Sequence, residues 1–165
     1  MKLVYIILLI VALQVQFAFA SRYDAYFLDR MAGQNKETSQ LAELAQVKSK
    51  NLELKRVARK ILRKNHAEIK IIEEWRNSYF QDVPDFWVMP SKNLPELSKL
   101  ENTDFDLQFL DKMIDVFQKG RIRLLDAQNK AEKPFLKSYT KKRLVEFDRE
   151  IKLLISLKKK IMGES

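Results

Sequence analysis

The chain has 165 residues, with 31 Lys and Arg against 22 Asp and Glu, a formal charge of +9 and no cysteine. The missing thiols exclude disulfides, thiolate metal sites and cysteine nucleophiles together. With only three glycines there is no Gly-rich phosphate loop or dinucleotide fingerprint, and no nucleophile–base pair stands out, so no enzyme is expected.

Met1-Lys2 is followed by an apolar run from Leu3 to Leu13, then by Ala18-Phe19-Ala20 and the polar Ser21-Arg22. A short basic start, an apolar stretch too short for a bilayer and an A-x-A site are the three parts of a secretory signal peptide. Cleavage between Ala20 and Ser21 leaves residues 21–165 as one exported domain, periplasmic or secreted; an uncleaved anchor is the alternative. Export makes nucleic acid a poor partner for the basic charge, and an anionic membrane or cell-wall surface a better one. The same charges also suit the solvated faces of long helices.

Phe27-Leu28-Asp29-Arg30-Met31 returns as Phe109-Leu110-Asp111-Lys112-Met113, an offset of 82 residues. The same offset pairs Ser21 with Thr103, Asp24 with Asp106, Ala45-Gln46 with Ala127-Gln128, and Glu68-Ile69-Lys70 with Glu150-Ile151-Lys152. The chain is one unit written twice, over 21–80 and 103–163, joined by a linker over 81–102.

Each unit opens on a pattern resembling a capping box, Ser21-x-x-Asp24 and Thr103-x-x-Asp106. In the first helix Phe27, Met31, Thr38, Leu41, Ala42 and Ala45 form one stripe to about Lys48, interrupted by Gln34 and Asn35. Asn51 is the expected N-cap of a second helix carrying Leu54, Ala58, Ile61, Asn65, Ile69, Ile72 and Trp75, which fades near Phe80. Pro84, Pro90 and Pro95 forbid a long helix across the linker. At about 3.3 Å per residue the linker can cross a whole bundle. Its Phe86, Trp87, Val88 and Met89 are expected to pack over the helices, with a ligand-covering lid as the sharper alternative. A third helix runs from Asp104 to about Lys130, with Gly120 a weak point inside it. The last starts at Pro134 and ends in Lys158-Lys159-Lys160 before a Gly163 cap. The expected fold is all-α: a ferritin-like four-helix bundle built from two repeated helical hairpins with a long crossover.

The run Phe27, Met31, Leu41-Ala42, Leu44-Ala45, Leu54, Ala58, Ile61-Leu62, Asn65, Glu68-Ile69, Ile72, Trp75 resembles the pattern of the domain of unknown function 305 (DUF305) family. That resemblance implies a ferritin-like, exported, largely bacterial protein, and a His-His pair associated with copper or other metals. The pair's positions, three and four residues after the Met, are Gln34 and Asn35 here, and Val116 and Phe117 in the second unit. The chain is therefore read as a member without the family's metal site: no metal is expected, and a residual copper or iron site is the alternative.

The residual candidates are few. His66 is the sole histidine, too little for a site that needs three or four ligands, and reads as a surface residue. Glu68 and Glu150, equivalent in the repeat and each one position before an inward Ile, are expected to pair with Lys, Arg or the amide of Gln34; a hard-cation site is the alternative. Met31 and Met113 offer thioethers to Cu(I) but sit at core positions. The functional expectation is a non-catalytic binding protein, monomer or homodimer, whose partner is an unknown protein or an anionic surface.

Overall fold

The computed structural model describes residues 2–84 and 94–164, with side chains from residue 22 onward. Five helices follow one another: α1 (Lys2–Lys48), α2 (Leu52–Tyr79), the single turn α3 (Leu94–Leu97), α4 (Asn102–Lys130) and α5 (Pro134–Met162). No strand occurs among the described residues.

α1 and α2 form one hairpin, α4 and α5 the other. Tyr23 meets Asp126 while Gln34 meets Arg123, so α1 and α4 run antiparallel. Trp75 meets Phe135 while Glu53 meets Lys160, so α2 and α5 do too. The order is up, down, down, up, the ferritin-like arrangement, and it forces the link between α2 and α4 to travel the bundle's length. That length is about 42 Å for a helix the size of α2. The two ends of the link are tied accordingly. Arg76 donates to the carbonyls of Phe80, Val83 and Pro84 at one end of the bundle, and Lys48 contacts the carbonyl of Ser98 and the Glu101 carboxylate at the other. Phe86, Trp87, Val88 and Met89, expected as a packed cover or a lid, lie outside the described residues.

The core is the seam where the apolar stripes meet. Phe27, Leu28, Met31, Leu41, Leu54 and Ile72 of the first hairpin pack with Phe105, Phe109, Leu110, Met113, Leu124, Phe147 and Leu154 of the second. α1 is buried on a wider arc than its neighbours, since Ala25, Leu28, Gln34, Asn35 and Ser39 are buried along with its apolar stripe. Gln34 and Asn35 are thus part of the buried face rather than interruptions of it. Trp75, expected inside, is half-buried, its ring against Phe135 and Tyr139.

Three expected helix ends are observed as read. Asn51 caps α2, its side chain accepting from the N–H groups of Glu53 and Leu54 at 3.0 Å. Pro134 opens α5, and Gly163 closes it in the left-handed region at φ 77°. The two capping boxes are not formed. α1 runs unbroken through Ser21, because nothing in the upstream segment breaks a helix. α4 starts at Asn102, with Glu101 at the cap and no side-chain cap bond. Asn102 takes φ 52°, a conformation Asn tolerates better than most residues, and places Thr103 already inside the helix.

Candidate functional site: the polar seam of the bundle

The buried stripe of α2 reads Leu54, Ala58, Ile61, Asn65, Glu68, Ile72, Arg76, and that of α5 reads Leu136, Thr140, Arg143, Phe147, Leu154, Leu157. Both keep three- and four-residue spacing through polar residues, so the helices carry charge into the core without changing face. Glu68 and Arg143 meet there.

Arg143 Nε lies 2.6 Å from Glu68 Oε1, at an angle too poor for a hydrogen bond, so the contact is held by charge. Tyr139 donates its hydroxyl to the same Glu68 oxygen at 2.5 Å. Arg143 Nη1 donates to Glu146 at 2.7 Å, and the guanidinium lies 4.5 Å over the Phe147 ring. Lys64 extends the cluster outward to Glu146 at 2.8 Å and Glu150 at 2.6 Å. Burial drives the Tyr139 pKa up and the Glu68 charge drives it further, so the phenol stays protonated. Burial works to lower the pKa of Arg143, but Glu68, with Tyr139 and Glu150 beyond it, outweighs that and the net shift is upward. The group behaves as a charge-paired seam between α2 and α5.

The four positions implied for a histidine pair are all buried, and they point to different neighbours. Gln34 Oε1 accepts from Arg123 Nη1 at 2.7 Å, and its amide lies over Gly120. A Cβ on Gly120 would come within 2.2 Å of Gln34 Nε2 and 2.5 Å of the Phe147 ring, so the glycine is what lets α4 approach here. At Asn35 it is the backbone carbonyl that accepts from Asn65 Nδ2 of α2, at 3.3 Å, and Asn65 also donates to Thr38 at 2.7 Å. Phe117 packs edge-on against Phe147 at 5.0 Å, and Val116 is buried beside it in the chain.

The residual candidates do not converge. His66 is exposed, Met31 and Met113 are fully buried in the apolar core, and Glu68 and Glu150 are each engaged by a cation. Glu68 pairs with Arg143, not with the Gln34 amide. In α2 it is Glu68 itself that is buried while Ile69 is only half-buried, so the inward face lies one residue earlier than the apolar pattern suggests; in α5 Glu150 and Ile151 are both half-buried. Among the described residues no three His, Cys, Asp or Glu side chains come together in a way that could hold a metal. Arg143, Tyr139, Arg123 and Gly120 were not singled out from the sequence as site residues. The signal for Arg143 was there: a cation standing on a stripe of Leu and Phe.

Fold and seam together define a ferritin-like helical-bundle protein with a charge-paired interior. The chain belongs to the DUF4142 family, a domain of unknown function, whose profile matches residues 14–154. None of the curated proteins matches it significantly. Among solved structures it is similar to CopM in its Cu(I)-bound form, with 25% identity, a TM-score of 0.72, and coverage of 81% of this chain and 94% of that one. CopM in its apo form gives 26% identity, a TM-score of 0.70 and the same coverage. A DUF305 protein from Streptomyces coelicolor matches with a TM-score of 0.75 at 15% identity, covering 84% of this chain and 91% of that one. At that identity the DUF305 resemblance holds for the fold, and the family membership is DUF4142.

Proposed function

We propose that this protein is an exported, non-catalytic binding protein of the family, and that the interior positions matching a histidine pair no longer hold a metal. One observation carries the reading: the amide of Gln34 is already bound to the guanidinium of Arg123 at 2.7 Å. A fixed positive charge there opposes a metal cation by several kcal/mol at an effective dielectric of about 20. Val116 and Phe117 supply no donor atoms, and amides are poor ligands for copper beside imidazole. Export is supported by the likeness to a DUF305 protein described as secreted, and by the length of α2. Its 28 residues match the part of α1 that begins at the expected cleavage point, so removal of residues 1–20 leaves both hairpins whole.

The likeness to copper-bound CopM favours a second reading, a residual copper binder using Met31, Met113, His66, Glu68 or Glu150. The two readings part in calorimetry. Gln34→His with Asn35→His and Arg123→Met restores imidazole and removes the opposing charge, and is expected to create micromolar Cu(II) binding that the unaltered chain lacks. If the unaltered chain takes up copper as tightly as the variant, the first reading falls.

A further inference from the structure

On the surface between α1 and α4, a cleft of about 110 Å³ is lined by Tyr23, Tyr26, Phe27, Arg30, Arg123 and Asp126. Its contents are unusual for a bundle surface. Two guanidiniums, from Arg30 on α1 and Arg123 on α4, face one space, and the burial of Arg123 followed by the charge of Arg30 lowers the Arg123 pKa. Like charges are normally placed apart, so a cleft that draws two together holds a positive potential.

The carboxylates nearby do not cancel it. Asp126 is taken by Lys130 at 2.8 Å and by the Tyr23 hydroxyl at 2.9 Å, and these bonds hold its carboxyl below the usual range. Glu37 and Asp24 act on Arg123 and Tyr23 from outside the lining, Asp24 while accepting from the N–H groups of Glu132 and Lys133, so the lining itself sets two guanidiniums against the one carboxylate of Asp126. The guanidinium of Arg30 has no hydrogen bond or ion pair among the described residues, only the Tyr26 ring at 5.8 Å. Arg123 spends one nitrogen on Gln34 and keeps the rest of its planar fork of donors.

We propose that this cleft binds a small oxyanion, a phosphate or carboxylate group carried on a small molecule, clamped by Arg30 and Arg123 with Tyr23 and Tyr26 as its walls. Planar guanidiniums match both anions in bidentate geometry, and the half-buried Tyr23 and the exposed Tyr26 flank the contact with their rings. The volume sets the size. It exceeds by several times the ~15 Å³ that one water needs, and falls short of the ~300 Å³ at which cofactor-sized pockets begin.

The inference rests on the reading of this chain as a binding protein and names the class of its ligand. Full-length protein titrated with inorganic phosphate, and separately with benzoate, is followed by NMR shifts of the α1 and α4 amides, with copper added in a parallel titration. One of the two anions is expected to saturate at one equivalent. Arg30→Met and Arg123→Met are each expected to weaken it at least tenfold, while Lys160→Met at the far end of the bundle leaves it unchanged. Phosphate saturating alone assigns the ligand a phosphate group, and benzoate alone a carboxylate. Failure of both anions to saturate, or saturation unmoved by Arg30→Met, overturns the cleft. Tight copper uptake would instead overturn the binding reading beneath it.

Discussion

At the scale of single residues, the energy of the interior turns on Glu68 and Arg143. Both are nearly closed to solvent, with 8% and 4% of their side chains exposed, so removing one strands the other. Glu68→Gln is expected to cost about 3 kcal/mol in urea unfolding, the range for breaking a buried pair, and Glu68→Leu with Arg143→Met to cost less than either change alone. A loss under about 1 kcal/mol for Glu68→Gln would mean the pair is only a surface contact. Glu146 adds a pH dependence. Burial works to raise its pKa, but the hydrogen bonds from Lys64 and Arg143 outweigh burial and the shift is downward. A carboxyl with a depressed folded-state pKa contributes stability above its ordinary value of about 4.5 and loses it as the pH falls through the folded value. Glu146→Gln should therefore flatten the stability profile below about pH 4.5 and lower the plateau above it; an unchanged acid limb would show that the pairing with Lys64 and Arg143 adds nothing.

At the scale of elements, the repeat explains itself as a pair of tethers. Asp29 reaches Arg76 at 3.0 Å and Asp111 reaches Lys158 at 2.5 Å, each 47 residues along the chain. The aspartate in Phe-Leu-Asp-basic-Met thus pins each helix to its hairpin partner, and Arg76 also ties down the start of the crossover. Glu68 and Glu150 obey the same two-fold logic, one reaching from α2 to α5 and the other back. Gly120 tests the packing between hairpins. Helix propensity alone favours Gly120→Ala by about 1 kcal/mol, yet the close approach of Gln34 and Phe147 should make the change destabilising, with Gln34→Ala recovering part of the loss. A gain in melting temperature for Gly120→Ala alone would refute that packing. The helices, their order and most of the core were legible because three- and four-residue spacing survives even where the stripe turns polar. The pairing of Glu68 with Arg143 was not, since a stripe says which residues face inward but not which helix they meet. The capping boxes misled for a local reason: Ser21 has helix on both sides in the full chain, and Asp24 instead accepts from the N–H groups of Glu132 and Lys133 across the bundle.

At the scale of the whole molecule, the proposed loss of metal binding turns on what fills the centre of the bundle. A hairpin written twice gives a two-fold frame, and such a frame offers paired positions that suit a metal when they hold histidines. Here the pairs are Gln34 with Val116 and Asn35 with Phe117, one polar and one apolar in each case, and both members are buried. Phe109 sits in the core of that frame with no exposed surface, and Phe109→Ala is expected to cost about 3 to 5 kcal/mol in reversible unfolding. A cost near that of an ordinary surface change would remove the hairpin interface from the core. The proposal that the interior takes up no copper rests on the Arg123 guanidinium bound to Gln34 and on the apolar Val116 and Phe117. Competition for Cu(I) against a chromophoric chelator, run on the unaltered protein, tests this most directly: the chelator should keep its metal and its colour at every protein concentration, whereas withdrawal of one equivalent would contradict the account.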